Sequence, residues 1–174
     1  MSSTVKREVA SWIKTILMAA VLAAAINTFL IVNAQVPTGS MEQTIMAGDR
    51  ILALRTAYWF EDPQRGDVAV FRYPDDPTGK TLYVKRIIGE PGDTVWIEGG
   101  TVFVNGEALV EEYAAEAVLG DFGPYTVPEE SYFMMGDNRN HSLDSRFWNN
   151  QFVEEDEILG KVVLRYYKGF KWIS

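Results

Sequence analysis

No residue between Thr15 and Met41 carries a charge, and residues 16–26 are apolar without interruption before Asn27-Thr28 leads into a second apolar stretch at 29–32. About 20 apolar residues carry a helix across the hydrocarbon core of a bilayer. The run therefore predicts a membrane-spanning helix over 15–33, with a short segment at 1–14 before it and one domain at 34–174 after it. It shows no polar face of the kind an amphipathic core helix would need. Lys6, Arg7 and Lys14 outnumber Glu8 on the N-terminal side. By the positive-inside rule the N-terminus then lies in the cytoplasm and the domain on the outer face, in a single-pass chain that contacts membrane lipid. A cleavable signal sequence is the competing reading, because Val32-Asn33-Ala34 matches the small-residue cleavage pattern. Against it, the run is longer than the apolar core of such a sequence.

The composition narrows the chemistry of the domain. With 174 residues, 47% of them hydrophobic, the chain can bury one principal core. It has no cysteine and one histidine, His141. Thiol nucleophiles and Cys-based metal sites are excluded, a zinc site would rest on carboxylates, and any Ser-His-Asp arrangement would have to use His141. A formal net charge of -8 argues against a nucleic-acid partner. Glu111, Glu112, Glu129, Glu130 and the run 154–157 show no ligand spacing and are expected to be solvated, with no cofactor called for.

Beyond the apolar run the chain reads as mainly β. Short apolar stretches at 51–54, 68–71, 81–88, 95–97, 101–104 and 131–135 are separated by Gly-, Pro- and Asp-rich turns, with Asn105-Gly106 a strong hairpin signal. A last stretch at 158–167 is expected to close an antiparallel sheet. The pattern weakens between residues 100 and 130, which predicts a minor, loop-rich β subdomain there.

Two stretches carry the candidate chemistry. Val36-Pro37-Thr38-Gly39-Ser40-Met41 places a hydroxyl in a turn where Pro37 fixes its own φ and Gly39 is able to take φ values closed to other residues. That suits an exposed nucleophile, although Thr-Gly-Ser also fits an ordinary linker turn. With no cysteine and one histidine, the base for Ser40 is Lys85, a carboxylate or His141. Period-2 alternation puts Tyr83, Lys85 and Ile87 on one face of the 81–88 strand. An amine flanked by an aromatic ring and an isoleucine is badly placed for hydration, and desolvation lowers a lysine pKa toward the range in which it can act as a base. A lysine snorkelling at a sheet edge is the alternative. His141 is expected to be structural or exposed.

Taken in order, these stretches resemble the type I signal peptidases, membrane-anchored Ser-Lys proteases, over nearly the whole chain. Thr38-Gly39-Ser40-Met41 resembles the nucleophile box and Tyr83-Val84-Lys85-Arg86-Ile87-Ile88-Gly89 the lysine box. Gly136-Asp137-Asn138-Arg139 through Ser142, with Asp144-Ser145-Arg146, is similar to the last box. The resemblance implies a signal-peptide-cleaving serine endopeptidase acting on preproteins as a monomer. Ser40 would be its nucleophile and Lys85 its general base. It further implies an oxyanion site from the Ser40 N–H and the Thr38 hydroxyl, and Ser142 orienting the lysine. Gly39, Met41, Asp137 and an Asp144–Arg146 pair would give structural support, and shallow pockets near Val36, Ile45, Tyr83 and Val84 would give an Ala-x-Ala preference. Gln43 departs from the family pattern, which usually has proline there, and Asn140-His141 varies a pair that is commonly Asp-Asn. A self-cleaving Ser-Lys protein and a non-enzymatic membrane-tethered β domain are the other two classes this sequence allows.

Overall fold

The computed structural model describes residues 3–167 and 169–173, so Met1 and Ser2 of the expected 1–14 segment lie outside it. The apolar run forms α1 (Ser3–Phe29), about 40 Å long at 1.5 Å per residue. Its stretch Arg7–Phe29 is, among the described residues, the one helix long and apolar enough to cross a membrane, and none of it is buried by the rest of the chain. The helix starts earlier and ends earlier than the sequence suggests. Leu30 makes the last helical bond, to Ile26, while its own carbonyl accepts from Arg55. Residues 31–33, expected inside the span, open β1 (Ile31–Gln35) instead. Hydropathy does not register this change, because Ile31 and Val32 are as apolar as the helix. The partner strand takes over their backbone groups, and β-branched side chains suit it.

That partner is β2 (Arg50–Leu54). The chain continues through β3 (Val68–Arg72), β4 (Leu82–Gly89), β5 (Thr94–Glu98), β6 (Thr101–Val104), β7 (Glu107–Ala108), β8 (Phe122–Thr126), β9 (Ser131–Met135), β10 (Val153–Glu154), β11 (Ile158–Arg165) and β12 (Lys171–Trp172). Every pairing among the described residues is antiparallel. The larger sheet runs β1-β2-β11-β3-β4-β9-β10, with β12 alongside β11. β11 does not close the sheet as expected but lies inside it, between β2 and β3. Its Gly160 and Val162 are buried, and periodicity carries no record of spatial order.

The weakly patterned region is more ordered than the sequence implies. It belongs to a second sheet, β7-β6-β5-β8, which begins at Thr94 rather than near 100. Val95, Ile97, Val102, Val104, Val118 and Val127 of this sheet and its loops pack against Ile88, Phe133 and Met135 of the larger one. A second core lies under β1, β2 and β11 and takes in Met41 and Ile45 from the loop between β1 and β2. A third joins Phe71, Ile87, Tyr132 and Trp148.

Gly160 sits at a register shift between β11 and β3, where an added Cβ would stand 2.7 Å from the Leu54 carbonyl oxygen and 3.1 Å from the Arg55 nitrogen. Backbone cannot rotate out of the way as a side chain can. Gly160→Ala should destabilise the domain by about 1–3 kcal/mol, read as a lower midpoint in urea unfolding followed by tryptophan fluorescence.

Candidate active site

Ser40 lies in the loop that follows β1. Val36 donates to the Asp49 carbonyl at 2.9 Å and accepts from Gly48 at 2.7 Å, so the loop returns along its own start. Inside it Glu42 N–H bonds to Gly39 at 3.0 Å and Ile45 N–H to Met41 at 2.8 Å. Met41 and Ile45, both fully buried, pin this turn into the core on the C-terminal side of Ser40. Gly39 does not adopt the positive φ the turn was expected to use, and an added Cβ would stand 2.5 Å from Glu42 Oε1, the end of a flexible side chain that can turn aside. The residue with left-handed backbone here is Gln43, at φ 83. A proline ring, which holds φ near -65°, does not fit that position as the turn is folded.

Lys85 projects from β4 and is 3% exposed. Its Nζ stands 2.5 Å from Ser40 Oγ and 5.6 Å from the centroid of the Tyr83 ring. Burial lowers its pKa to about 8; nearby Asp144 and Asp137 oppose that shift and Arg146 adds to it. A neutral amine accepts the Ser40 hydroxyl proton at this distance, so the pair is suited to generating an alkoxide-like oxygen. Thr38 Oγ1 lies 3.4 Å from Ser40 Oγ, on the same side of the turn.

The loop after β9 backs the serine. Asn138 N–H donates to the Ser40 carbonyl at 3.1 Å and Asn138 Nδ2 to the Gly39 carbonyl at 2.9 Å. Gly136 packs so closely that a Cβ there would collide with the Ser40 carbonyl oxygen and Ser142 Oγ. Ser142 is thus next to the serine turn, yet its buried Oγ has no hydrogen-bond partner among the described residues. The expected Ser142 contact with the amine is not made here, where the short bond of Lys85 goes to Ser40.

Two ion pairs hold this loop from opposite ends. Arg86 binds Asp137 through Nε at 2.9 Å and Nη2 at 2.8 Å, and Asp137 accepts the Thr44 hydroxyl at 2.5 Å. Arg146 binds both oxygens of Asp144 at 2.8 Å, and Asp144 accepts the Gly136 N–H at 3.0 Å. The Asp144–Arg146 pair is the one the family resemblance implies, and it is buried. Arg86, Thr44, Gly136 and Asn138 were not given roles, although two adjacent cations on one strand must point to opposite faces. One of them therefore had to find a carboxylate inside the domain.

A cleft of about 290 Å³ opens beside the pair, between residues 34–38 and β4, with Val36, Leu82, Tyr83 and Val84 in its walls. Ile45, expected in that pocket, is fully buried in the core instead and does not line the cleft. His141 is at the rim with its side chain 77% exposed, its nearest carboxylate being Glu116 at 3.9 Å.

Comparison with known proteins gives the family. Residues 9–167 match the family described as "Signal peptidase, peptidase S26". The chain is similar to "Probable signal peptidase I-2" of Synechocystis, 39% identical over 88% of this chain and 71% of the relative. It is also similar to "Signal peptidase I" of Bacillus licheniformis, 40% identical over 83% of this chain and 82% of the relative. Among solved structures, a signal peptidase I from Enterococcus faecalis aligns over 58% of this chain and 97% of its own, at 34% identity and a TM-score of 0.51. The chain therefore belongs to the signal peptidase, peptidase S26 family and is a serine endopeptidase.

Proposed function

We propose that this chain is a membrane-anchored signal peptidase in which Ser40 is the nucleophile and Lys85 the general base, cutting exported preproteins after small residues. One observation carries the assignment: a lysine amine of lowered pKa buried 2.5 Å from the hydroxyl of a serine in a tightly pinned turn. Neutral Lys85 takes the Ser40 proton as Oγ attacks the scissile carbonyl. The resulting ammonium returns that proton to the leaving amine as the peptide bond breaks, and an acyl-enzyme remains. Water, deprotonated by the same amine, then attacks the ester, and Ser40 recovers its proton. The Ser40 N–H and the Thr38 hydroxyl receive the developing oxyanion, a contribution worth about 10²–10³ in rate per donor.

The substrate lies extended between residues 34–38 and β4, adding a strand to the cleft walls. Val36, Tyr83 and Val84 leave room for small side chains, which is the basis for the Ala-x-Ala preference. α1 anchors the chain with its N-terminus in the cytoplasm and the catalytic domain on the outer face, as a monomer against the lipid surface where signal peptides arrive. Membership of a peptidase family sets aside the non-enzymatic reading.

Ser40→Ala and Lys85→Met should each keep the β-sheet circular dichroism of the parent. Both should lose precursor cleavage, the lysine variant by at least about 10³-fold. Cleavage followed by mass spectrometry tests this, and full activity in either folded variant would sink the assignment.

The base also dictates a pH profile. kcat/KM should rise with pH along a limb centred near 8, the folded pKa of Lys85. His141→Ala should leave that limb in place. Lys85 has a folded pKa below its unfolded value, so the folded state binds fewer protons. Its burial penalty is full below about 8 and is relieved as pH rises from there toward the unfolded value of 10.5. Urea titrations at pH 7.5 and 9.5 should therefore show the contribution of Lys85 to stability becoming more favourable at the higher pH, and an ascending limb of kcat/KM that vanishes in His141→Ala would move the base role to histidine.

A further inference from the structure

Segment 109–121 crosses from the second sheet to the loop that backs Ser40, and its contacts there are specific. Glu111 accepts from Arg139 in a two-pronged pair, 2.5 Å from Nη1 to Oε2 and 2.6 Å from Nη2 to Oε1. The Arg139 side chain is 1% exposed and that of Glu111 10%. The guanidinium also donates through Nε to the Gly136 carbonyl at 3.1 Å. Gly136 is the residue with no room for a Cβ against the Ser40 carbonyl. Tyr113 makes a second link. Its hydroxyl donates to Glu111 at 3.0 Å, and the Arg86 guanidinium stacks 3.8 Å over its ring. Arg86 holds Asp137, which holds Thr44 four residues beyond Ser40. Asn140 fastens the far end, accepting from Leu119 N–H at 2.8 Å and donating to the Ala117 carbonyl at 3.0 Å.

We infer that Glu111 and Tyr113 are positioning residues for the cleavage reaction: they clamp the 136–142 loop through Arg139 and Arg86 and so fix the main chain of Ser40 relative to Lys85. The inference rests on the Ser40–Lys85 reading and extends it to the segment between β7 and β8, which touches neither reacting group. The physical reason is directional. Arg139 is buried, so its charge has to be met where Glu111 stands. A buried guanidinium that loses its carboxylate pulls on whatever acceptor remains, and here that acceptor is Gly136. Movement at Gly136 passes to the Ser40 carbonyl against which it is packed. The cleft walls at Val36, Leu82, Tyr83 and Val84 lie outside the 136–142 loop, which reaches the cleft through His141 at its rim, so substrate binding changes less than the geometry of attack. A misplacement of about 1 Å at reacting atoms costs on the order of 10²-fold in rate.

The test uses the full chain in detergent and a precursor peptide, with kcat and KM measured separately. Glu111→Gln should lower kcat by about 10- to 100-fold with KM within about twofold, while Glu112→Gln, the same charge change on an exposed neighbour, should match the parent. A purely structural role predicts less folded enzyme with parental kcat per folded molecule, counted by the near-ultraviolet circular dichroism signal. Parental kcat in folded Glu111→Gln overturns the inference. Should Glu111→Gln fail to fold, Tyr113→Phe decides. That variant keeps the ring on Arg86 and removes only the hydrogen bond to Glu111, so a severalfold lower kcat at constant KM supports the clamp and a parental kcat refutes it. Ser40→Ala in the same assay separates the two layers. Activity surviving there overturns the Ser-Lys reading, whereas loss there with parental Glu111→Gln overturns the clamp alone.

Discussion

A lysine amine held almost dry against a serine hydroxyl is the constraint on which the rest of the structure depends. Desolvation lowers the pKa of an amine, but any unpaired carboxylate nearby would raise it again. The structure meets this by admitting carboxylates to the neighbourhood only with a cation attached. Asp144 is bound by Arg146 and Asp137 by Arg86. Their fields at Lys85 partly cancel, Asp144 and Asp137 raising its pKa and Arg146 lowering it, so burial has the last word. These pairs are poor evidence for net stability, yet removing one partner of such a pair costs about 3–5 kcal/mol. They keep the carboxylates from undoing the effect of burial on the amine, and they fix the loop behind Ser40 at once.

The serine half of the site is held by packing. Met41 and Ile45 are apolar pins on one side of Ser40, each contributing about 1.5–3 kcal/mol by burial, and the return of Val36 along Asp49 and Gly48 fixes the other side. Between them the turn keeps Oγ at the floor of a cleft. The strained backbone is displaced to Gln43, three residues away.

Much of this was legible in residues whose surroundings are local. The charge-free run is helical over most of its length, and the strand at 81–88 with one lysine on an apolar face is found where it was read. What escaped is non-local. Nothing in the periodicity of residues 158–165 says that they pair with two strands more than eighty residues upstream. The end of α1 was missed because strand and helix use the same apolar residues at 31–33, and only pairing with β2 separates them. Ile45 was given to the cleft and belongs to the core, since an apolar residue near a candidate nucleophile looks the same in both roles. The weak patterning after residue 100 reflects short strands that bury one face against the larger sheet, together with polar residues such as Glu111 and Asn140 whose partners lie in a different loop.

The placement of β11 has a consequence for when the enzyme comes alive. In the larger sheet the strands that lead to Ser40, β1 and β2, lie on one side of β11, while β3 and β4, which carry Lys85, lie on the other. A chain that emerges N-terminus first holds both reactive groups long before it holds the strand that joins their two halves. Until residues 158–165 follow, hydroxyl and amine sit on pieces of sheet with no shared edge, and assembly must wait for contacts that are slow because they span most of the sequence. The Ser40–Lys85 contact is thus completed only when the last long strand has joined the two halves of the sheet.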